Sequence, residues 1–343
     1  MFPAFVSLAS ILALQPSGAT DLTVHRVNSV DEREIVFYVD RPAADGAMPL
    51  LVMVDGSGCV GQRRPAFENL YAPGADQEHR FARLRVEKPG VDASASGEPC
   101  SETFLRHYSI DDRVTDHLRV LQHLAATADW WDGTLYIWGW SDGADIAAQI
   151  AIYRSDVDRM ILGAVGGGLT FTELFEDYWA CRADQMPEAA REQCVNGLRA
   201  QFTEIENNPT WQETWGGEDN SWRVWESRLR SRLIDPLSDH QSPFLIVHGS
   251  QDYDSVPVES ARRLVEGLEA NENNHFEYWE IACMEHVWRN MSEADGARLE
   301  TSMLNWLFGD PDTAPHHLLD PTHSRPSTPP MRAEAPICEP SAN

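Results

Sequence analysis

The stretch YIWGWSDGAD, residues 136–145, joins two patterns that are typical of different secondary structures. The residues before Ser141 are apolar and aromatic, which indicates a buried strand. Residues 142–154 carry small apolar side chains at helical spacing, which predicts a helix packed closely on a sheet. One serine therefore lies between two glycines, Gly139 and Gly143, where a strand gives way to a helix.

A sharp turn at this point forces Ser141 into a strained backbone conformation and exposes its hydroxyl group. Glycine at positions 139 and 143 removes the Cβ atoms that would collide in so tight a turn. The positive end of the following helix points at the turn and favours a developing negative charge. This is the arrangement of a nucleophilic serine, whereas the simpler interpretation is an ordinary loop in which the serine caps the helix.

Strand-like and helix-like segments alternate on both sides of this turn. Such alternation predicts an α/β fold, with a mostly parallel central sheet that is flanked by helices. Loops at the carboxyl ends of parallel strands build the active sites of such folds. The predicted strands are residues 33–40, 49–56, 82–92, 134–140, 159–167, 243–250 and 275–283, and the predicted helices are residues 110–128, 142–154, 258–270 and 292–308.

A serine nucleophile needs a base, and the base needs an acid that orients it. Both are expected downstream, in the order serine, acid, histidine. His286 follows the predicted strand at 275–283, and two acids, Asp252 and Asp254, follow the strand before it. The order and the positions of these residues therefore predict a catalytic triad with Ser141.

Over residues 33–308 the chain resembles the α/β-hydrolase superfamily. In that family a strand that ends in His-Gly is often followed by two residues and then the triad acid, as in HGSQD at 248–252, which favours Asp252. Family members commonly place two residues between this acid and a Val-Pro pair. Here three residues precede the pair at 256–257, which keeps Asp254 as the alternative acid.

The resemblance also implies an oxyanion hole built from two backbone N–H groups. One donor is Asp142, the residue after the nucleophile. The other lies in the segment DGSGCVG, residues 55–61, which resembles the family's oxyanion loop but has Asp55 where a histidine often stands. This departure leaves three candidates for the second donor: Ser57, Gly58 and Cys59.

Residues 168–240 interrupt the alternation and contain five of the twelve tryptophans. The resemblance implies a helical cap over the active site at this position, although the tryptophans could equally fill the small core of the cap itself. The predicted organisation is a core at 20–167 and 241–309, a cap at 168–240, and a proline-rich tail at 310–343. The five tryptophans are Trp179, Trp211, Trp215, Trp222 and Trp225.

Residues 1–19 predict a secretory signal peptide, with an apolar run that is too short to span a bilayer and small residues at Ser17 and Ala19. The other interpretation is a buried N-terminal strand or helix. An even number of cysteines agrees with export, because disulfides persist in oxidising compartments. We expect a secreted or periplasmic protein. The sequence leaves the connectivity of the six cysteines open, and the pairing that we expect is Cys59–Cys100, Cys181–Cys194 and Cys283–Cys338.

The formal net charge is −27, from 54 acidic and 27 basic residues. A surface of this kind repels nucleic-acid phosphates and anionic membranes, so neither is an expected partner. Lys88 is the only lysine in the chain, which we attribute to compositional bias.

The sequence thus predicts a serine hydrolase that cleaves carboxylic esters through an acyl-enzyme. This chemistry requires no metal and no cofactor, and the expected partner is a small ester or peptide substrate. The alternatives are a peptidase related to prolyl oligopeptidases and a non-catalytic binding protein on the same scaffold.

Overall fold

The computed structural model describes residues 20–42, 46–64, 70–71, 79–97, 99–310, 313–327 and 338. Within these residues, eight strands form one sheet in the order β1-β2-β4-β3-β5-β6-β7-β8. β1 pairs antiparallel with β2, β2 pairs antiparallel with β4, and the remaining neighbours are parallel. The strands are β1 (Thr20–Asn28), β2 (Glu34–Pro42), β3 (Met48–Val54), β4 (Ala82–Val86), β5 (Trp131–Trp140), β6 (Arg159–Gly163), β7 (Phe244–Gly249) and β8 (Phe276–Ile281).

Helices cover both faces of the sheet, as the alternating pattern predicts. Successive strand residues point to opposite faces, so Leu50 packs in the core beneath one set of helices and Leu51 in the core beneath the other. The helices are α1 (Glu102–His107), α2 (Ile110–Thr127), α3 (Asp142–Tyr153), α4 (Phe171–Leu174), α5 (Glu188–Asn207), α6 (Trp222–Arg230), α7 (Ile234–Ser238), α8 (Val258–Ala270) and α9 (Glu293–Phe308). The first core includes side chains of α2, α3 and α8, and the second includes side chains of α9.

Two elements, β1 and α1, have no counterpart in the predictions. β1 lies at an edge of the sheet, and its residues are mostly exposed or half-buried, so the strand lacks the long apolar run of a central strand. The predicted strand at 82–92 is too long, because β4 ends at Val86 and the chain then turns at Gly90, where φ is +64°.

The insertion at 168–240 is helical, and four of its five tryptophans pack into a hydrophobic cluster inside the insertion itself. Trp225 donates a hydrogen bond from Nε1 to the Trp215 carbonyl at 2.6 Å, and the two rings meet edge to face. Trp211 lies apart from this cluster, with the guanidinium of Arg106 4.5 Å from its ring centre. Phe175–Trp179 forms a single turn of π-helix between α4 and α5.

The described part of the proline-rich segment, residues 313–327, packs along β8. The N–H of Ala282 donates to the Leu318 carbonyl at 2.8 Å, and Tyr278 exchanges two backbone hydrogen bonds with Arg325 at 2.6 and 3.1 Å. Leu318 and Leu319 are buried against the core on the α9 side. This segment therefore covers the outer edge of β8, which would otherwise present unpaired backbone groups.

Three disulfides are present, in the predicted pairing. Their Cα–Cα distances are 5.5 Å for Cys59–Cys100, 5.7 Å for Cys181–Cys194 and 5.1 Å for Cys283–Cys338. They fasten the loop after β3, the insertion and the loop after β8, respectively. The predicted signal peptide at 1–19 lies outside the described residues. Among those described, no helix combines the length and the apolar character that crossing a bilayer requires.

Candidate active site

Ser141 stands alone between β5, which ends at Trp140, and α3, which begins at Asp142. Its backbone angles are φ 58° and ψ −131°, a combination that residues other than glycine rarely adopt. The N–H of Ser141 donates to the Gly163 carbonyl at 2.9 Å, which fixes the turn to the end of β6. The Ser141 side chain makes no capping hydrogen bond to α3, so the interpretation as a simple helix cap lacks support.

The two flanking glycines are required by close backbone contacts. A Cβ atom at Gly139 would lie 2.2 Å from the Gly143 carbonyl oxygen, and one at Gly143 would lie 2.1 Å from the Val54 carbonyl oxygen. Both distances are far below van der Waals contact. The tight packing of α3 against β3 and β5 therefore depends on glycine at these two positions.

Asp252 and His286 form a hydrogen-bonded pair at the ends of β7 and β8. The distance from His286 Nδ1 to Asp252 Oδ2 is 2.7 Å, and Asp252 Oδ1 accepts the backbone N–H of Val256 at 3.0 Å. Burial alone would raise the pKa of Asp252, but the hydrogen bond from His286 and the nearby imidazoles hold it below its ordinary value. Asp254 is exposed, so of the two predicted acids it is Asp252 that the structure brings to His286.

His248 supports the loop that carries this acid. Its side chain is fully buried, and its Nε2 lies 2.8 Å from the Val256 carbonyl oxygen and 3.6 Å from Asp252 Oδ2. Burial lowers the pKa of His248, which favours the neutral ring. A neutral ring protonated at Nε2 donates to the Val256 carbonyl and thereby holds Val256, whose own N–H group binds Asp252.

Contacts beside Ser141 bring the histidine loop to the same edge of the sheet. Trp140, the residue before the serine, donates from Nε1 to the His286 carbonyl at 2.8 Å, and its ring meets Trp288 edge to face at 4.9 Å. A Cβ atom at Gly249 would lie 2.2 Å from the Glu285 carbonyl oxygen, so the same loop also runs close against the end of β7.

The loop after β3 lies against the serine on its other side. A Cβ atom at Gly56 would lie 3.2 Å from Ser141 Cβ and 3.7 Å from Ser141 Oγ, so the backbone at Gly56 is in near contact with the hydroxyl-bearing residue. The predicted donors Ser57, Gly58 and Cys59 follow directly. Gly58 has φ +81° and approaches Asp219 of the insertion, whose Oδ2 would lie 3.6 Å from a Cβ at that position.

Asp142 connects the serine turn to the insertion, and the sequence did not predict this contact. Its Oδ2 accepts hydrogen bonds from the Tyr108 hydroxyl at 3.0 Å and from Arg228 of α6 at 2.5 Å. Burial would raise the pKa of Asp142, but the Arg228 guanidinium and the Tyr108 hydroxyl hold it below its ordinary value. No pattern in the sequence marks Arg228, because the contact spans 86 residues.

One group of possible metal ligands lies away from this site, at the outer edge of β8. Glu280, Asp320 and His323 bring one ligand atom each within 4.8 Å of one another. Arg262 already forms two hydrogen bonds with Glu280, at 3.0 and 2.7 Å. The positive charge that the buried Glu280 carboxylate needs is therefore supplied by a side chain.

The sheet order and the serine turn define the α/β-hydrolase fold, and solved structures agree. No protein-family model matches the chain, and no curated protein matches its sequence. Among similar structures is the Pyrococcus horikoshii acylaminoacyl peptidase, with a TM-score of 0.58 and 13% identity over 84% of this chain and 41% of that one.

A puromycin-hydrolyzing peptidase from Mycobacterium tuberculosis has a TM-score of 0.55 and 16% identity over 85% of this chain and 40% of that one. Est1E from Butyrivibrio proteoclasticus has a TM-score of 0.53 and 16% identity, over 83% of this chain and 99% of that one. The chain thus spans about two fifths of the length of the two peptidases and nearly all of Est1E. At these identities the similarity establishes the α/β-hydrolase fold.

Proposed function

We propose that the protein is a serine hydrolase that cleaves carboxylic esters, with Ser141 as nucleophile, His286 as general base and Asp252 as the orienting acid. The observation that carries the proposal is the 2.7 Å hydrogen bond between the His286 and Asp252 side chains. The loop of His286 lies beside the serine turn, because Trp140 donates a hydrogen bond to the His286 carbonyl. The strained backbone of Ser141 supports it, because such strain persists where the surrounding structure holds a functional group in place.

The reaction follows from these positions. Because Asp252 occupies Nδ1 of His286, Nε2 is the nitrogen that takes the Ser141 proton while Oγ attacks the ester carbonyl. The tetrahedral intermediate collapses, the C–O bond to the alcohol breaks, and His286 returns the proton to the leaving alcohol. Water then gives a proton to His286 and attacks the acyl carbonyl. The bond between the acyl carbon and Ser141 Oγ breaks, His286 returns the proton to Oγ, and the acid is released.

The oxyanion that forms in each half-reaction needs N–H donors. We assign one to Asp142 at the first position of α3, where backbone N–H groups lack partners within the helix. For the second donor we favour Ser57 over Gly58 and Cys59. A Cβ atom at Gly56, the residue before Ser57, would lie 3.7 Å from Ser141 Oγ, whereas no Ser141 atom lies within 4 Å of a Cβ atom at Gly58.

The insertion at 168–240 is proposed to act as a cap. Its Arg228 binds Asp142, and its Asp219 approaches Gly58, so it contacts both sides of the proposed oxyanion hole. A cap in this place limits the access of water and lines the pocket for the acyl group.

Secretion or export to the periplasm is proposed as the location. The three disulfides support it, since such bridges form and persist in oxidising compartments. The substrate is then a small ester or peptide that is available outside the cytoplasm.

A peptidase activity is the second candidate. Two of the similar structures are an acylaminoacyl peptidase and a puromycin-hydrolyzing peptidase, and the same triad chemistry cleaves an amide when the histidine protonates the leaving amine. p-Nitrophenyl esters of graded acyl length, assayed beside peptide p-nitroanilides, separate the two candidates by their kcat/KM values.

Labelling with a fluorophosphonate probe tests the proposed nucleophile. We expect the wild-type protein to be labelled and Ser141→Ala not to be labelled.

Asp252→Asn is expected to lower kcat by about 10⁴-fold, the size of effect seen when a triad acid loses its charge. The matched control is Asp254→Asn, which changes an exposed acid on the same loop and should leave kcat within about twofold of wild type.

A wild-type protein that resists the probe would identify a non-catalytic binding protein on this scaffold. Equal losses of kcat in Asp252→Asn and Asp254→Asn would remove the assignment of the acid.

A further inference from the structure

Lys88, the only lysine of the chain, lies beneath the loop that follows β3. Its side chain has no exposed surface, and its ammonium group pairs with the Asp55 carboxylate. The same Nζ donates to the Gly58 carbonyl at 2.8 Å and to the Ser57 carbonyl at 3.4 Å. A lysine ammonium has three donors, and three acceptors surround it here.

Arg113 of α2 is a second buried cation under the same loop. Its guanidinium donates to the Asp55 carboxylate at 2.7 Å, to the Asp55 carbonyl at 2.8 Å and to the Gly56 carbonyl at 3.4 Å. The carbonyl oxygens of four consecutive residues, 55 to 58, are therefore held by two cations.

The direction of these carbonyls determines the direction of the N–H groups that follow them. In a trans peptide the C=O of one residue and the N–H of the next point in opposite directions. Because each carbonyl of residues 55–58 points at Lys88 or Arg113, each N–H group of residues 56–59 points away from the cation that binds the preceding carbonyl. Among them is the N–H of Ser57, in the peptide that lies beside Ser141.

We propose that Lys88 and Arg113 are positioning residues that orient the oxyanion loop, residues 55–59, so that its N–H groups and not its carbonyl oxygens face the reacting carbonyl. This inference rests on the proposed serine hydrolase function. A peptide flip in this loop would replace a donor with a carbonyl oxygen and so repel the developing oxyanion. The two cations oppose the flip because it would take a carbonyl acceptor away from a buried charge.

Asp55 is the counterion that makes this arrangement possible. Burial lowers the pKa of Lys88, and the Asp55 carboxylate counteracts that effect. Burial likewise raises the pKa of Asp55, and the charges of Lys88 and Arg113 more than offset it. The aspartate at the position where the resemblance suggests a histidine therefore has a physical role, since a neutral side chain there would leave two buried cations unpaired.

The test is Lys88→Met, which keeps most of the side-chain volume, removes the ammonium group and leaves Asp55 paired with Arg113. We expect kcat for a p-nitrophenyl ester to fall by about 10- to 100-fold, somewhat less than the loss of an oxyanion donor itself, with KM within about threefold. The Ki of an alkyl boronic acid, which forms a tetrahedral adduct with the serine, should rise in parallel with the loss of kcat/KM.

The matched control is Arg33→Met. Arg33 binds the buried carboxylate of Asp116, a residue of α2, at 2.9 Å. The substitution therefore removes a cation from a buried pair that does not include the oxyanion loop. It should lower the thermal stability while kcat and the boronate Ki stay near wild type. If Lys88→Met has the same profile as this control, Lys88 is a structural residue and the inference is overturned.

A second variant covers the case in which Lys88→Met does not fold. Lys88→Gln keeps a neutral N–H donor for the Gly58 carbonyl, so we expect an intermediate kcat; a wild-type kcat would overturn the inference. Fluorophosphonate labelling of the wild-type protein distinguishes the two levels of failure. Absence of labelling there contradicts the proposed function, whereas normal labelling with unchanged Lys88 variants contradicts only the positioning role.

Discussion

Around Ser141, individual residues have environments that their neighbours in sequence do not share. Asp142 and Asp145 both lie in the first turn of α3 and both are largely buried. Asp142 receives the Arg228 guanidinium, whereas Asp145 receives the neutral Ser231 hydroxyl, at 3.1 Å. Burial, together with the charge of Asp142, therefore raises the pKa of Asp145 to about 7.

The raised pKa makes stability depend on pH through this residue. In the unfolded chain an aspartate ionises near pH 3.9, whereas folded Asp145 keeps its proton up to about pH 7. Between those values the folded state binds more protons, so stability falls as pH rises, by about 1.4 kcal/mol per pH unit. Asp145→Asn removes this loss, because asparagine does not titrate and still accepts the Ser231 hydroxyl.

Urea unfolding at a series of pH values checks this prediction. The free energy of unfolding of Asp145→Asn relative to wild type should increase from pH 4.5 to pH 7 and then level off. A difference that stays constant over this range would contradict the proposed ionisation of Asp145.

Among the elements, α6 fastens the insertion to the core. Ser227 accepts the Ile110 N–H at 3.1 Å at the start of α2, Arg223 binds Asp112, and Arg228 binds Asp142. The tryptophan cluster stabilises the insertion internally, and these polar contacts of α6 fix where it lies over the serine turn. The position of the insertion thus depends on a few polar contacts, of which the Arg228–Asp142 ion pair is buried.

Two arginines on α6, one buried and one half exposed, allow the contribution of the buried ion pair to be compared with that of a surface ion pair. Arg228→Met leaves the buried Asp142 carboxylate without its cation and should lower the free energy of unfolding by about 3–5 kcal/mol. Arg230, two residues later, is half exposed and pairs with Asp111 and Glu226 at the surface. Arg230→Met should cost about 1 kcal/mol or less.

Chemical denaturation of the two variants measures both values. Similar losses would show that the burial of the Arg228–Asp142 pair has no special importance for holding the insertion.

At the level of the whole molecule, three disulfides restrain the chain: one lies within the insertion, and two hold loops near the sheet edge where the proposed site lies. Their sequence separations are 41, 13 and 55 residues. In the chain-entropy model each bridge restricts the unfolded chain and stabilises the fold by roughly 3–4 kcal/mol. Because Cys59 and Cys283 lie in the loops after β3 and β8, two of the bridges fix segments beside the serine turn.

We expect dithiothreitol to lower the Tm markedly, because reduction releases all three restraints. Thiol titration of the unfolded, unreduced protein should find none of the six cysteines free, which is the matched control for the reduction. Six free thiols in the protein purified without a reductant would contradict the three bridges.

The sequence by itself determined the architecture of the core, because strand and helix periodicity are local properties. The apolar strands, the helices between them and the glycines around Ser141 each depend on a pattern of a few neighbouring residues, so the sequence alone predicts them. The positions of Asp252 and His286 after successive strands followed from the same periodicity, since parallel strands end at one edge of the sheet.

Only the tertiary structure decided contacts between residues far apart in the chain. In the sequence Lys88 is an isolated lysine, and no neighbouring residue indicates that it forms an ion pair with Asp55, which lies 33 residues earlier. Arg228 reaches Asp142 across 86 residues, and Arg325 pairs with Tyr278 across the edge of β8. Such contacts depend on how the chain closes on itself, and the free energy of a buried charge depends on partners that local sequence patterns do not encode.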